Sequence, residues 1–360
     1  MRIAQVAPLY ESVPPKLYGG TERVVHYLTE ELIRQGHDVT LFASGDSVTS
    51  ARLIAPCKTA LRLDPNCKDP LAYHILALEE VMELADEFDV VHFHIDYIHF
   101  PFSKRHSFAH VTTLHGRLDM PELPAMYRKF HDIPVVSISD AQRRPLQHAN
   151  WQGTVYHGLP RDLLPMGNGS GQYLAFLGRM SPEKRPDRAI EIARRAGMPL
   201  KIAAKVDRVD EEYFDTRIRP LLSESSIEFV GEIGERDKGA FLGNAYAMLF
   251  PIDWQEPFGL VLIEAIACGT PIVAFRGGSV DEIIEDGVTG FVVEDLDSAV
   301  EAVRRVPEIR RQQCRWSFES RFSASRMAKD YVNIYTRLIA GLNRIPEAAC
   351  PADSRDAQPA

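Results

Sequence analysis

The sequence predicts an α/β protein with two domains, each built on a mostly parallel sheet, that face each other across a cleft. Short apolar runs alternate along the chain with amphipathic stretches, which is typical of parallel strands joined by crossover helices. At 360 residues the chain is also long for one hydrophobic core. The segment Asn168-Gly169-Ser170-Gly171 has linker composition and places the expected boundary between residues 1–167 and 168–322.

The composition is that of an ordinary globular protein with reduced thiols. Charged residues make up 25% of the chain, and the net charge of −9 argues against nonspecific binding to nucleic acids. The five cysteines form no C-x-x-C pair, which favours free thiols in a cytoplasmic protein over disulfides or a zinc site. The first apolar run is too short for a signal peptide, and no run approaches a ~20-residue membrane span, although peripheral membrane contact stays open.

The first domain is expected to open as a strand–helix–strand unit. A strand over Arg2–Ala7 leads through a Gly-rich loop to a helix over Glu22–Gln35, with Thr21 as its cap, and then to the strand Val39–Ala43. The glycine pair Gly19-Gly20 allows the backbone to approach a ligand closely at the start of this helix, or it forms a flexible turn. The dinucleotide fingerprint G-x-G-x-x-G does not occur in this unit.

Histidines mark the ends of two further strands. His92 and His94 alternate in the strand Val90–Ile95 and therefore point to one face. With His99 they allow a metal site, but no zinc spacing is present, and the ligand-binding edge of a parallel sheet is the better interpretation. His115 ends the next strand, where it is either a surface residue or a ligand contact.

The second domain is expected to begin with the strand Tyr173–Arg179. A loop that carries Arg179 and Lys184 follows, and then a helix that ends at Ala196. Two cations in such a loop can flank a diphosphate, although a solvated basic loop is the simpler alternative. The remaining strands and helices are predicted over Leu200–Lys205, Ile227–Glu232, Ala240–Ala247, Met248–Pro251, Gly290–Val293, Leu296–Val306 and Ser323–Leu342.

The most informative segment runs from Glu256 to Pro271. Pro257 suits the first turn of a helix, Phe258–Cys268 is apolar nearly all round, and Gly269 is a left-handed cap candidate before a strand over residues 271–275. On such a helix Glu264 lies about 80° around the axis and about two turns from Glu256. This spacing suits two contacts with one long ligand rather than an acid/base pair.

The amide groups between these carboxylates suit a phosphate. The N–H groups of Phe258, Gly259 and Leu260 lie at the predicted helix start, where backbone donors have no intrahelical acceptor. The alternative is a core helix with one hydrogen-bonded and one solvated glutamate.

The segment Glu256 to Glu264, with Pro-Phe-Gly after its first glutamate, resembles the Glu-x7-Glu motif of family 4 retaining glycosyltransferases, which have the GT-B fold of two Rossmann-like domains. The resemblance implies that Glu256 contacts the donor sugar, that the amides of Phe258, Gly259 and Leu260 take the diphosphate, and that Glu264 holds the ribose.

Further motifs extend the resemblance along the chain. Gly19-Gly20 followed by Thr-Glu is similar to the loop that lines the donor phosphates in this family, and His115 stands where a histidine contacts the sugar and stabilises its developing charge. Gly-Arg-x4-Lys, with Arg179 and Lys184, resembles the leaving-group site. Arg185 departs from the pattern, because a glycine often follows the lysine.

The resemblance implies a retaining transferase that moves a hexose from a UDP-, GDP- or ADP-sugar to an unidentified acceptor hydroxyl, without a metal or other cofactor. It also implies that a terminal helix, residues 323–345, packs back on the first domain, and the composition predicts a disordered tail over residues 346–360. An epimerase or phosphorylase of the same fold and a non-catalytic sugar-nucleotide-binding module remain alternatives. The presence of both Glu256 and His115 argues against the binding module.

Overall fold

The computed structural model describes residues 1–342, which contain two parallel sheets. The first sheet has the strand order β3-β2-β1-β4-β5-β6-β7 and the second has the order β10-β9-β8-β11-β12-β13. Every strand pair in both sheets is parallel, so the predicted α/β fold class is confirmed. The strands are β1 Arg2–Val6, β2 Asp38–Phe42, β3 Arg52–Ile54, β4 Val90–Phe93, β5 His110–Thr113, β6 Pro134–Ser137, β7 Asn150–Thr154, β8 Leu174–Arg179, β9 Leu200–Lys205, β10 Ile227–Gly231, β11 Ala247–Phe250, β12 Ile272–Phe275 and β13 Gly290–Val293.

Helices join the strands as crossover connections. They are α1 Gly20–Arg34, α2 Pro70–Glu83, α3 Phe100–Ser103, α4 Leu123–Lys129, α5 Asp140–Arg143, α6 Pro186–Ala196, α7 Glu211–Tyr213, α8 Glu235–Asn244, α9 Leu260–Ala267, α10 Val280–Ile283, α11 Leu296–Arg305, α12 Arg311–Arg321 and α13 Ala324–Leu342. Short 3-10 turns cover Ala85–Glu87, Arg144–Leu146, Arg208–Asp210, Arg219–Ser223 and Val306–Glu308, and a π turn covers Phe214–Ile218.

The strands β3 and β7 and the helices α3, α4, α7 and α12 were not predicted, and one helix was misplaced. The strands β3 and β7 lie at opposite edges of the first sheet and are only partly buried, so they lack the apolar run of a central strand. The helix α12 is rich in charged residues and offers only a narrow apolar stripe. The helix α8 covers Glu235–Asn244 instead of the predicted Ala240–Ala247. It cannot extend to Ala247, because β11 already starts there.

The Gly-rich segment near residue 168 packs on the second domain rather than hanging free. The amides of Gly169 and Gly171 donate to the carbonyls of Gly243 (3.0 Å) and Asn244 (2.9 Å). A Cβ on Gly167 would lie 2.1 Å from the Gly243 oxygen, so glycine here permits close backbone approach. The predicted domain bounds stay a prediction; the two sheets themselves occupy residues 2–154 and 174–293.

The last helix returns to the first domain. Tyr335 of α13 bonds Gln5 of β1 (3.2 Å) and His92 of β4 (2.7 Å). Across the cleft, Arg23 and Tyr27 of α1 donate to the carboxylate of Glu235 in α8, which joins the domains a second time. Residues 343–345 of the predicted terminal helix and the predicted tail over 346–360 lie outside the described residues.

Candidate active site

A cavity of about 690 Å³ lies between the carboxyl ends of the two sheets. Parallel α/β sheets bind ligands at this edge. The cavity is lined by all ten residues to which the resemblance assigns a role, which are Gly19, Gly20, His115, Arg179, Lys184, Glu256, Phe258, Gly259, Leu260 and Glu264. The structure therefore brings together residues that lie up to 245 positions apart in the sequence, from Gly19 to Glu264.

The helix after Glu256 starts later than predicted. It begins at Leu260, and Gly259 caps it with a left-handed backbone (φ +80°), so Pro257 and Phe258 precede the helix instead of forming its first turn. The predicted 80° separation of the two glutamates is wrong for this reason. The amides of Phe258, Gly259 and Leu260 find no acceptor within residues 1–342, so the predicted anion-binding donors are present in a tighter turn.

The start of α1 also differs from the prediction. Gly19 (φ +152°) is the residue before the helix, and Thr21 lies inside it rather than capping it. A Cβ on Gly19 would lie 2.7 Å from the Cβ of Pro15, so only glycine fits there. A Cβ on Gly20 would lie 3.5 Å from Leu260 Cδ1, which shows how closely the first-domain loop faces the start of α9.

Lys184 and Glu256 form an ion pair inside the cavity. The Lys184 Nζ donates to Glu256 Oε2, and the indole N–H of Trp254 donates to the same oxygen at 3.0 Å. The ammonium also lies 4.9 Å from the centre of the Trp254 ring, a cation–π distance. Both groups are largely buried, so each neutralises the charge of the other.

Arg179 ends β8 and lies among carboxylates. Its guanidinium donates to Glu183 at 2.6 Å and lies 3.8 Å from Asp207 and 3.9 Å from Asp210. The loop that the sequence presents as basic is therefore locally balanced in charge. A phosphate that enters the cavity would meet Arg179 held in one place by these acids rather than a freely moving cation.

Arg185 stands where the family often has a glycine, and its backbone has a conformation that suits glycine. Its backbone is left-handed (φ +51°), a conformation that glycine adopts without strain and other residues adopt at a cost. Its side chain pairs with Asp187 and Asp253, both at 2.8 Å, and does not line the cavity. The arginine thus adds no charge at the site.

Glu264 is buried in α9 with half of its carboxylate paired. Lys238 of α8 donates to Oε1 at 2.6 Å, whereas Oε2 is buried and has no partner among the described residues. An unpaired buried carboxylate oxygen is costly unless a ligand hydroxyl satisfies it. Sequence reasoning missed Lys238, because nothing in the local pattern separates it from a surface lysine.

His115 lies on the first-domain wall of the cavity. Its Nε2 is 2.9 Å from His94 Nδ1, and its ring stacks on His157, which in turn packs edge-on against Phe258. Desolvation lowers the pKa of His115 to about 3, so the imidazole is neutral at physiological pH. A neutral imidazole offers the cavity hydrogen bonds but no positive charge.

The histidines near His115 do not form a metal site. His92 bonds Tyr335 and Thr113, and His99 bonds Ser103 (2.7 Å) and Thr112 (2.6 Å), so their ring nitrogens are occupied. In the part of the chain that the structure describes, no group of three His, Cys, Asp or Glu side chains could hold a metal ion.

Asp96 lines the first-domain end of the cavity, beyond His94. It has a left-handed backbone (φ +51°), and surrounding protein raises the pKa of its carboxyl to about 6. Arg62 and His74 line the same end.

Two family models match the chain. The model described as glycosyl transferases group 1 matches residues 168–321, and the model described as glycosyltransferase family 4 matches residues 18–179. The O-antigen chain mannosyltransferase C of Escherichia coli is 22% identical over 93% of this chain and 99% of its own length. The D-inositol 3-phosphate glycosyltransferase of Saccharomonospora viridis is 31% identical, but the match spans 46% of this chain and 43% of that relative.

Solved structures share the whole fold. The sucrose-phosphate synthase of Thermosynechococcus elongatus has a TM-score of 0.80 over 95% of this chain and 100% of its own, at 17% identity. Anabaena HepE in complex with UDP-glucose has a TM-score of 0.68 over 96% of this chain and 100% of its own, at 16% identity. At these identities the likeness establishes the fold alone.

The architecture is that of a GT-B glycosyltransferase, with two Rossmann-like domains around a cleft. Because the two family models together span residues 18–321, the chain belongs to the group 1 glycosyltransferases of the family 4 type, and its activity is glycosyl transfer.

Proposed function

We propose that this protein is a retaining glycosyltransferase that moves a hexose from a nucleotide-diphosphate sugar to an acceptor hydroxyl without a metal. The observation that carries the proposal is the single cavity in which unpaired amides, two cations and an unpaired carboxylate oxygen converge. HepE is described in complex with UDP, UDP and glucose, and UDP-glucose, and the Escherichia coli relative is named a mannosyltransferase. Both names are consistent with this class of donor.

The diphosphate is the chemical difficulty of the reaction, because it gains charge as the anomeric C–O bond breaks. Preorganised donors aimed at the leaving oxygens lower that barrier. Arg179 is held by its carboxylates at the end of β8, and the amides of Phe258, Gly259 and Leu260 are fixed by the turn before α9. Gly20 lets the first-domain loop close over the same phosphates.

Lys184 and Glu256 would exchange partners when the donor binds. In their present pair the ammonium neutralises the carboxylate. A diphosphate offers Lys184 a stronger partner, and Glu256 is then free to accept hydrogen bonds from sugar hydroxyls. His115 holds the other side of the sugar as a neutral imidazole. The acceptor hydroxyl attacks from the face that the phosphate leaves and passes its proton to the departing phosphate oxygen.

Glu264 is proposed to hold the ribose. Its Oε2 lacks a partner while Lys238 fixes Oε1, so one carboxylate oxygen is left to accept from a ribose hydroxyl. A carboxylate accepts hydrogen bonds and does not donate them, which suits a vicinal diol.

The acceptor would enter at the end of the cavity lined by Asp96, and its chemical class stays open between a glycan, a lipid and a small molecule. Within residues 1–342 no helix is both long and apolar enough to cross a bilayer. The thiols of Cys57, Cys67, Cys268 and Cys314 are free, which supports the proposed cytoplasmic location.

The test is donor binding and turnover with a panel of UDP-, GDP- and ADP-sugars, with and without EDTA. We expect one nucleotide class to bind, slow release of nucleotide to water in EDTA, and no release with Glu256→Gln. NMR of the product's anomeric proton reports retention once an acceptor is found. A folded protein that binds none of these donors, or that turns over only with added metal, would refute the proposal.

A further inference from the structure

A continuous chain of hydrogen bonds connects the last helix to the cavity. From α13 it begins with Tyr331, whose hydroxyl is 2.8 Å from the hydroxyl of Thr113, and each later member bonds the next. We call this set the buried wire; in order it comprises Tyr331, Thr113, His92, Tyr335, Gln5, His94 and His115. The links after Thr113 measure 2.7, 2.7, 3.2, 2.8 and 2.9 Å.

The direction of the hydrogen bonds along the wire follows from the orientation of the Gln5 amide. Its amide nitrogen donates to the Tyr335 hydroxyl, and its carbonyl oxygen faces His94 Nε2 and can only accept. His94 therefore carries its proton on Nε2 and presents a lone pair on Nδ1. Its neighbour His115 must donate to that lone pair from Nε2.

The other half of the wire follows the same direction. Because Tyr335 accepts from Gln5, its own hydroxyl donates to His92 Nδ1. His92 then carries its proton on Nε2 and donates to Thr113. All of these rings are neutral, since burial holds the pKa of His92 and of His94 well below the usual range and lowers the pKa of His115 to about 3.

We infer that Gln5, His92, Thr113 and Tyr335 are positioning residues that place the proton of His115 on Nε2 and leave its Nδ1 as a hydrogen-bond acceptor. None of these four lines the cavity, so their influence reaches the site through His94 and His115 alone. His115 Nδ1 is buried and has no partner among residues 1–342. This step rests on the proposed function: a hydroxyl of the donor sugar would donate the hydrogen bond that His115 Nδ1 lacks.

The wire has a second direction, and this makes it testable. A half-turn of the Gln5 amide, with every tautomer exchanged, would reverse all the bonds and put the proton of His115 on Nδ1. Removing the Thr113 hydroxyl deprives the Nε2–H of His92 of its acceptor. A buried donor without an acceptor is costly, and in the variant either direction leaves one such N–H, on His92 or on His115, so the preference for the original direction is lost.

The experiment compares Thr113→Val with Thr112→Val by ¹⁵N NMR of the histidine rings, without any substrate. The two threonines are neighbours on β5, both are fully buried, and each hydroxyl bonds a buried histidine, but Thr112 bonds His99, which lies off the wire. We expect His115 protonated on Nε2 in the wild type and in Thr112→Val, and a mixture of the Nε2 and Nδ1 tautomers in Thr113→Val. With the donor identified, kcat/KM of Thr113→Val should fall about twofold, in proportion to the share of the Nε2 tautomer that is lost, and kcat/KM of Thr112→Val should not change.

Tyr335→Phe supplies a second test, which also applies if Thr113→Val folds poorly. It cuts the wire between His92 and Gln5, so Thr113→Val added to it should no longer move the His115 proton. The inference is overturned if His115 has the same tautomer in the wild type and in Thr113→Val, or if the wild-type proton already lies on Nδ1. A changed tautomer with unchanged turnover would overturn the catalytic part. Because the tautomer is read without substrate, failure of the proposed reaction would be seen separately.

Discussion

The two domains present different chemistry to the same cavity. The second domain contributes charges that are paired with one another; the pairs are Arg179–Glu183, Lys184–Glu256 and Lys238–Glu264. All twelve histidines of the chain lie before residue 158, and those nearest the cavity are neutral and hydrogen-bonded. The second domain can therefore rearrange its ion pairs around a polyanion, while the first holds a neutral sugar with fixed dipoles.

The largest expected effect comes from removing the cations that the second domain presents to the cavity. Arg179→Ala and Lys184→Ala should each lower kcat/KM by about 10²-fold or more, equivalent to ~2.7 kcal/mol of lost transition-state stabilisation. Steady-state kinetics with the identified donor measure this loss. Lys201→Ala is the matched control, because Lys201 pairs with Glu228 at 2.9 Å and lies outside the cavity. Near-normal activity in both Arg179→Ala and Lys184→Ala would remove these cations from the leaving-group role.

Glu264→Gln should act on binding more than on turnover. The amide keeps the shape of the side chain but replaces one acceptor oxygen by a donor and leaves Lys238 without its anionic partner. We expect the dissociation constant of the nucleotide, measured by calorimetry, to rise about tenfold or more, as for a hydrogen bond to a charged group. Glu228→Gln, outside the cavity, should leave it unchanged. An unaltered nucleotide affinity in Glu264→Gln would contradict the ribose assignment.

The buried histidines should make the stability of the first domain sensitive to acid. Burial lowers the pKa of nine histidines of the first domain, and the largest shifts are those of His92, His94, His99, His115 and His157. Below a pH of ~6.5, their unfolded pKa, these histidines bind protons in the unfolded chain but stay neutral in the folded one. The free energy of unfolding is therefore at its full value above that pH and falls as the pH drops. Each can reduce the free energy of unfolding by up to ~1.4 kcal/mol per pH unit below 6.5.

Hydrogen exchange resolved by peptide can assign this acid loss to a domain. After correction for intrinsic rates, amides of the first sheet should lose protection between pH 7 and pH 5, and amides of the second sheet should lose less, since residues 158–342 contain no histidine. Equal loss in both sheets would show that the carboxylates, not the buried histidines, set the acid sensitivity.

Sequence reasoning was more complete for the charged side than for the neutral one. The residues within Gly-Arg-x4-Lys, and those within the Glu256–Glu264 segment, lie close in the chain, so each motif could be matched to the family pattern, and the resemblance implied that both serve one site. The residues of the buried wire that leads to His115 are not close in the chain. Gln5 and Tyr335 are 330 positions apart and meet only when α13 packs on the first sheet. Local patterns also missed the left-handed Gly259, and with it the true start of α9.

The smallest expected effect concerns Arg185, where the sequence departs from the family pattern. Arg185→Ala loses the ion pairs with Asp187 and Asp253 and keeps a strained backbone, whereas Arg185→Gly loses the same pairs and relieves the strain. Denaturant titration should therefore show Arg185→Gly to be more stable than Arg185→Ala by about 1 kcal/mol and close to the wild type. Both variants should keep nearly full activity, because Arg185 does not line the cavity. A large loss of activity in both variants would mean that Arg185 acts at the donor site together with Arg179 and Lys184.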